Sequence, residues 1–165
     1  MADKIRVLFV CLGNICRSPS AEAMCAKLLA EQGLSDRFEL DSAGTLDYHV
    51  GDPPDPRTIR FGETRGLKLA HLRGRQICVQ DFYDYDDILV MDAQNLKDVQ
   101  AMAPADATAT IAPILTYGSD PTITCVPDPY FGGQEGFQRV LDLLEDAVAG
   151  YITHALQRTA ANTNR

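Results

Sequence analysis

Two hydrophobic rhythms alternate along this chain. Lys4 to Val10 is nearly continuous in apolar residues after Arg6, the pattern of a strand buried on both faces of a parallel sheet. Ala21, Met24, Cys25, Leu28 and Leu29 then recur at helical spacing as far as Gly33, so a helix should lay its apolar face on that sheet, with Met24 and Cys25 as core filler. Arg37–Ala43 alternates as a second strand, and Pro56–Gly66 is helical, anchored by Ile59 and Phe61. The acidic and aromatic run Asp81–Asp87 reads as a solvated turn before Ile88–Met91, a short buried strand. Asp92 then stands where it would cap a helix running through Met102. Thr110–Leu115 is the fourth strand, and Pro113, which lacks a ladder donor, puts it at an edge. Phe137, Val140, Leu141, Leu144, Val148, Tyr151 and Ile152 mark the longest amphipathic helix, with fraying expected beyond Arg158.

Strands alternating with helices predict an α/β, three-layer sandwich around a four-stranded parallel sheet in the order 2-1-3-4, with right-handed crossovers. In that order the winding reverses between strands one and three, and ligands bind in the crevice at such a switch point. Cys11, at the end of the first strand, falls there. Residues 1–158 are read as one domain and 159–165 as a frayed tail.

Composition narrows the function classes. A chain of 165 residues, 45% hydrophobic, can bury a sizeable core, and it contains no 18-residue apolar run. Met1-Ala2-Asp3-Lys4 leads directly into strand-like sequence, so neither signal peptide nor membrane span is expected and the protein is read as cytoplasmic. Five cysteines, an odd number, argue for reduced thiols rather than a disulfide framework. A net charge of −8 disfavours nucleic acid and membrane as partners, so an anionic ligand needs a locally reversed field. The only basic stretch is Arg57–Arg75, with five Arg and one Lys against one Glu; it is read as a solvated face or a patch that steers phosphate.

That reversed field has a candidate source in Val10-Cys11-Leu12-Gly13-Asn14-Ile15-Cys16-Arg17-Ser18-Pro19. A strand that breaks into a short Gly/Asn loop and winds straight into a helix converges its N–H groups on one point, with the helix dipole behind them. A thiol at the start of that loop should ionise near neutral pH and act as a nucleophile. Arg17 supplies a planar, permanently charged fork for two phosphoryl oxygens. Gly13 permits close backbone approach, and Asn14 tolerates a left-handed conformation. Ser18 is expected as the N-cap, able to donate to the Cys11 sulfur, with Pro19 just inside the helix. Leu12, Ile15 and Cys16 complete the loop. Cys16, on the same loop as Cys11, is either inert or able to close a reversible disulfide that shields Cys11 from over-oxidation. Far downstream, Asp128 between Pro127 and Pro129 sits on a stiff loop suited to a general acid, and Tyr130 and Phe131 beside it could stack on an aromatic ring. Ser42 is either a brace for the loop through Asn14 or an ordinary turn serine. Tyr48 is either a surface aromatic or a wall of the cleft, and Asp92 a helix cap or a support for the site. No metal or other cofactor is implied.

The loop, taken with Asp128-Pro129-Tyr130, resembles the low-molecular-weight protein tyrosine phosphatases over nearly the whole chain, from Val7 to about Tyr151. The resemblance implies a phosphotyrosine protein phosphatase I-like fold and hydrolysis of phosphotyrosine and small aryl phosphates through a cysteinyl-phosphate. It also implies Cys11 as nucleophile, Arg17 as phosphate binder, Asp128 as acid and base, and cleft walls at Tyr48, Tyr130 and Phe131. His71 matches a family histidine that hydrogen-bonds the serine of the loop. Relatives acting on phosphoarginine carry Thr where this chain has Ile15, so an aryl phosphate is favoured. The expected partners are phosphotyrosine-containing proteins, and the chain is expected to be a monomer or weakly self-associating. Two alternatives compete: a thiol-coupled arsenate reductase of the same fold, for which only Cys78 lies near the required cysteine relay, and a non-catalytic phosphate-binding module.

Overall fold

The central strand β1, Ile5–Cys11, is buried everywhere except Arg6. In an alternating strand, successive side chains serve opposite faces. Val7, Phe9 and Cys11 join one core with Met24, Leu29, Leu144, Val148 and Tyr151, while Leu8 and Val10 join a second with Ile88, Val90, Phe82 and Val99. Each fully buried aliphatic side chain of this kind contributes roughly 1.5–3 kcal/mol of transfer free energy. The computed structural model describes residues 4–130 and 133–163.

β2 (Phe38–Gly44) and β3 (Asp87–Val90) flank β1, and β4 (Thr110–Pro113) pairs outside β3. All pairings are parallel, in the order β2-β1-β3-β4. The register aligns Cys11 with Gly44, and Val10 with Ala43 and Val90, so the strands end on one rim. One face of the sheet carries α1 (Arg17–Glu31) and α5 (Gln134–Thr163), with α2 (Pro56–Glu63) packed on α5. The other carries α4 (Ala93–Met102) and the short α3 (Asp81–Asp84). The predicted three layers and strand order are therefore present. Among the described residues no helix is long and apolar enough to cross a membrane.

Three local expectations change. The Asp81–Asp84 run is a helical turn rather than a solvated loop, because Phe82 is wholly buried and Asp81 accepts both terminal guanidinium nitrogens of Arg75 at 3.0 Å. Ser18 is not the N-cap: α1 already begins at Arg17, with Cys16 at the cap and Pro19 as the third helical residue. Past Arg158, α5 continues through Thr163 instead of fraying. Arg158 is tied to Asp87 by two hydrogen bonds of 3.1 and 2.7 Å, and the Thr159 hydroxyl donates to the Ala155 carbonyl. Tyr151 also donates to Asp87, so this fully buried carboxylate at the foot of β3 is neutralised and hydrogen-bonded, as a buried charge must be.

Candidate active site

The loop between β1 and α1 is shaped by one residue. Asn14 has φ 59°, the only positive φ outside glycine among the described residues. Asparagine is one of the few side chains that adopt this conformation readily, and here its amide is bonded on every side. Nδ2 donates to Ser18 Oγ at 2.8 Å and to Ser42 Oγ at 3.0 Å, while Oδ1 accepts the Arg75 backbone N–H at 3.0 Å. The Asn14 backbone N–H is thereby turned onto Cys11 Sγ, 3.3 Å away, and Ser18 Oγ lies 3.0 Å from the same sulfur. Ser18 accepts from Asn14, and its single proton has two acceptors in reach, Sγ at 3.0 Å and the Ala43 carbonyl oxygen at 3.4 Å, of which the sulfur is the nearer. Gly44, opposite Cys11, admits this loop: a Cβ there would stand 2.8 Å from the Leu12 carbonyl oxygen.

Arg17 is 3% exposed and aims into the same site. Its Nη1 donates to Asp92 Oδ2 at 2.6 Å and to the Val126 carbonyl at 3.0 Å, and Nη2 lies 3.9 Å from Asp128 Oδ2. Burial opposes the guanidinium charge, but the Cys11 sulfur, Asp92 and Asp128 outweigh it and hold its pKa above the ordinary value. Asp92 serves both of its readings at once: Oδ1 caps α4 through the Asn95 N–H at 2.8 Å while Oδ2 holds Arg17. Cys16 is buried, and burial first, then the negative charges of Asp55, Cys11 and Asp128, push its thiol up to about 12 against the opposing Thr58 hydroxyl. It is a protonated thiol at neutral pH.

A cavity of about 280 Å³ opens over the sulfur. Cys11, Gly13, Cys16 and Arg17 form its floor, and Leu12, Ile15, Leu46, Tyr48, Tyr130 and Asp128 are among its other lining residues. Asp128 is held by an Asx turn in which Oδ1 accepts the Tyr130 N–H at 3.0 Å. Tyr48 is 79% exposed and Tyr130 42%, so both line the pocket while offering open faces to a partner. Phe131 lies outside the described residues. The arrangement gives an anion a cationic fork, an amide and a hydroxyl beside the Cys11 sulfur, with a carboxyl group at the mouth.

His71 does not meet the loop serine. It is exposed and lines a separate cavity with Glu22, Lys27 and Lys68, because the buried Leu67 and Leu69 turn this segment against the core. The Ser18 hydroxyl has Cys11, Asn14 and the Ala43 carbonyl as its neighbours instead, and the backbone N–H of Arg75 ties the loop to this part of the chain. The basic stretch is largely consumed internally: Arg57 pairs with Asp55, Arg65 with Asp142, and Arg75 with Asp41 and Asp81.

Sequence reasoning missed Glu22, Arg75, Asp55, Arg57 and the pocket-lining His49. Glu22 had a readable signal, since it lies four residues after Ser18 and therefore on the same helix face. Its Oε1 accepts from Ser42 Oγ at 2.7 Å, extending the loop network inward. Burial, and after it the Asp41 charge, raises this carboxyl from 4.5 to about 7 against the opposing Ser42 and Arg75. The folded state thus keeps a proton that the unfolded chain releases, so this contribution to stability is full below pH 4.5 and is lost as pH rises through about 7. Glu22→Gln should be more stable than the parent at pH 8, by at most about 3 kcal/mol, and should lose most of that advantage at pH 5. Urea unfolding at the two pH values measures it, and a gap independent of pH would refute the assignment.

The chain is similar to known proteins over most of its length. The model of the low molecular weight phosphotyrosine protein phosphatases matches residues 6–162. A low molecular weight phosphotyrosine protein phosphatase of Schizosaccharomyces pombe is 42% identical over 138 residues, spanning 83% of this chain and 88% of that protein. A protein tyrosine phosphatase from Entamoeba histolytica superposes with a TM-score of 0.90 at 37% identity, covering 94% of this chain and 99% of that one. A Drosophila arginine phosphatase superposes with a TM-score of 0.86 at 36% identity, covering 92% of this chain and 98% of its own. With sequence and fold in accord over nearly its full length, the chain belongs to the low molecular weight phosphotyrosine protein phosphatase family.

Proposed function

We propose that the protein hydrolyses phosphotyrosine in proteins, and small aryl phosphates, through a cysteinyl-phosphate on Cys11. The observation that carries this reading is the sulfur itself: Sγ receives an amide and a hydroxyl, faces a buried arginine, and lies at the floor of a pocket with Asp128 at its mouth. In the first step the Cys11 thiolate bonds to phosphorus, the phosphorus–oxygen bond to the aryl group breaks, and protonated Asp128 gives its proton to the departing oxygen. Arg17 and the loop amides hold the phosphoryl oxygens as charge shifts between them. In the second, water attacks phosphorus, Asp128 takes the water's proton, and the sulfur leaves as a thiolate stabilised by Ser18 and the Asn14 amide. The apolar side chains of Leu12, Ile15, Tyr48 and Tyr130 suit an aromatic ring, and Ile15 brings no hydroxyl to meet a guanidinium.

Asp128→Asn should lower kcat/KM for phenyl phosphate by about 10²–10³ while leaving the inhibition constant for vanadate within a few-fold. Steady-state rates with no added metal test this, and an unchanged rate removes Asp128 from the mechanism. A phosphoarginine peptide assayed beside a phosphotyrosine peptide tests the substrate class, and preference for the former would overturn the aryl reading.

The same loop supports reversible oxidation. Hydrogen peroxide converts the Cys11 thiolate to a sulfenic acid, and the Cys16 sulfur then displaces water to close a disulfide that blocks further oxidation. After brief peroxide and then dithiothreitol, Cys16→Ser should regain less activity than the parent. Equal recovery would reject the disulfide.

A further inference from the structure

Asp128 lies in the middle of a short irregular segment that is fixed two residues away on either side, each time by an arginine. Upstream, the Val126 carbonyl accepts from Arg17, and the Val126 N–H donates to the Met91 carbonyl at 2.8 Å. Downstream, the Tyr130 carbonyl accepts from Arg57 Nη2 at 2.8 Å. The Arg57 guanidinium carbon also stands 5.4 Å from the centroid of the Tyr130 ring and 4.9 Å from that of Phe137.

Arg57 is itself held from the other loop. The buried Asp55 caps α2 by accepting the Arg57 N–H at 2.8 Å, and its two oxygens take Nε and Nη2 of the same arginine at 3.1 Å each. The Asp55 N–H donates to the Ile15 carbonyl of the sulfur loop at 2.9 Å. An unbroken run of hydrogen bonds thus leads from Ile15 through Asp55, Arg57 and Tyr130 to Asp128.

We infer that Arg57, clamped by Asp55, is a positioning residue that sets the proton-donating carboxyl of Asp128 relative to the sulfur of Cys11. The inference rests on the reading of Asp128 as general acid. The bidentate Asp55 pairing fixes the guanidinium plane, so Nη2 reaches the Tyr130 carbonyl in one orientation. The Asx turn passes that constraint from Tyr130 to the carboxylate. Without the Arg57 hydrogen bond the Tyr130 end of the segment is held less tightly, and misplacement of the carboxyl by about 1 Å can cost up to about 10² in rate at the step needing the proton. Binding of the phosphoryl group depends on Arg17 and the loop amides and would stay intact.

The test compares kcat/KM, which reports formation of the cysteinyl-phosphate, for phenyl phosphate and dinitrophenyl phosphate. The second leaving group departs without a proton. Arg57→Met should slow phenyl phosphate by about 10-fold or more and dinitrophenyl phosphate by less than about 2-fold, with vanadate inhibition unchanged. Arg57→Lys keeps the charge and loses the fork, and should fall between parent and Met in the ratio of the two rates; it also serves if Arg57→Met folds poorly. Arg60→Met removes the same charge one turn along α2 and should leave the ratio alone. Equal slowing of both esters, no slowing of either, or the same ratio change in Arg60→Met overturns the inference. Asp128→Ala in the same assay separates the two readings: if it shows no discrimination between the esters, the general-acid assignment itself fails. Discrimination in Asp128→Ala but not in Arg57→Met would sink only the positioning role.

Discussion

Cys11→Ser is expected to lower turnover of p-nitrophenyl phosphate at least about 10⁵-fold, the scale of loss when a nucleophile is taken from a unit that acts together. The environment of Sγ explains why serine cannot substitute. Asn14 N–H and Ser18 Oγ are hydrogen-bond partners of the sulfur, whereas a serine hydroxyl ionises only far above neutral pH and is a much weaker nucleophile in the same place. The Arg17 that faces the nucleophile is cationic and cannot take a proton from a serine hydroxyl. In the proposed mechanism Arg17 and the loop amides hold the anion, so Cys11→Ser should still bind phosphate within a few-fold of the parent. Retained turnover would remove the sulfur from the chemistry, and lost phosphate binding would show that the substitution had collapsed the loop.

The second large effect is at Arg17. Arg17→Lys keeps one positive charge and should still cost about 10³-fold or more in kcat/KM, because the fork that spans two phosphoryl oxygens becomes a single ammonium. The loss is compounded by the tether: Nη1 is committed to Asp92 and the Val126 carbonyl, which leaves the rest of the guanidinium to face the substrate. A lysine has no planar array with which to do both. Vanadate affinity should fall together with the rate, in contrast to Asp128→Asn, where the rate falls and anion affinity is kept. Arg17→Lys with parental anion affinity would contradict the role given to the fork.

Much of this is legible in the sequence. The apolar run of β1, the helical stripes of α1 and α5 and the donorless Pro113 led to the sheet order, because burial on both faces, on one face or at an edge each leaves its own periodicity. The switch-point rule then put Cys11 in the crevice, and the loop composition supplied the anion site. Asp92 and Ser42 could be named from their places on the rim, although the sequence left each with two readings. His71 went astray because a resemblance carries a position along the chain, whereas the buried Leu67 and Leu69 determine which way that stretch faces.

What the sequence by itself determined is whatever depends on neighbours along the chain: strands, helices, the tight loop, and the thiol and arginine six residues apart within it. Only the tertiary structure decided how Asn14, Ser42, Glu22 and Arg75 brace that loop, and how Asp55 and Arg57 join it to the segment bearing Asp128. These contacts span up to 73 residues of separation. Hydrogen bonds and ion pairs between distant residues leave no periodicity behind, since their partners are selected by where packing of the two cores brings the chain back upon itself.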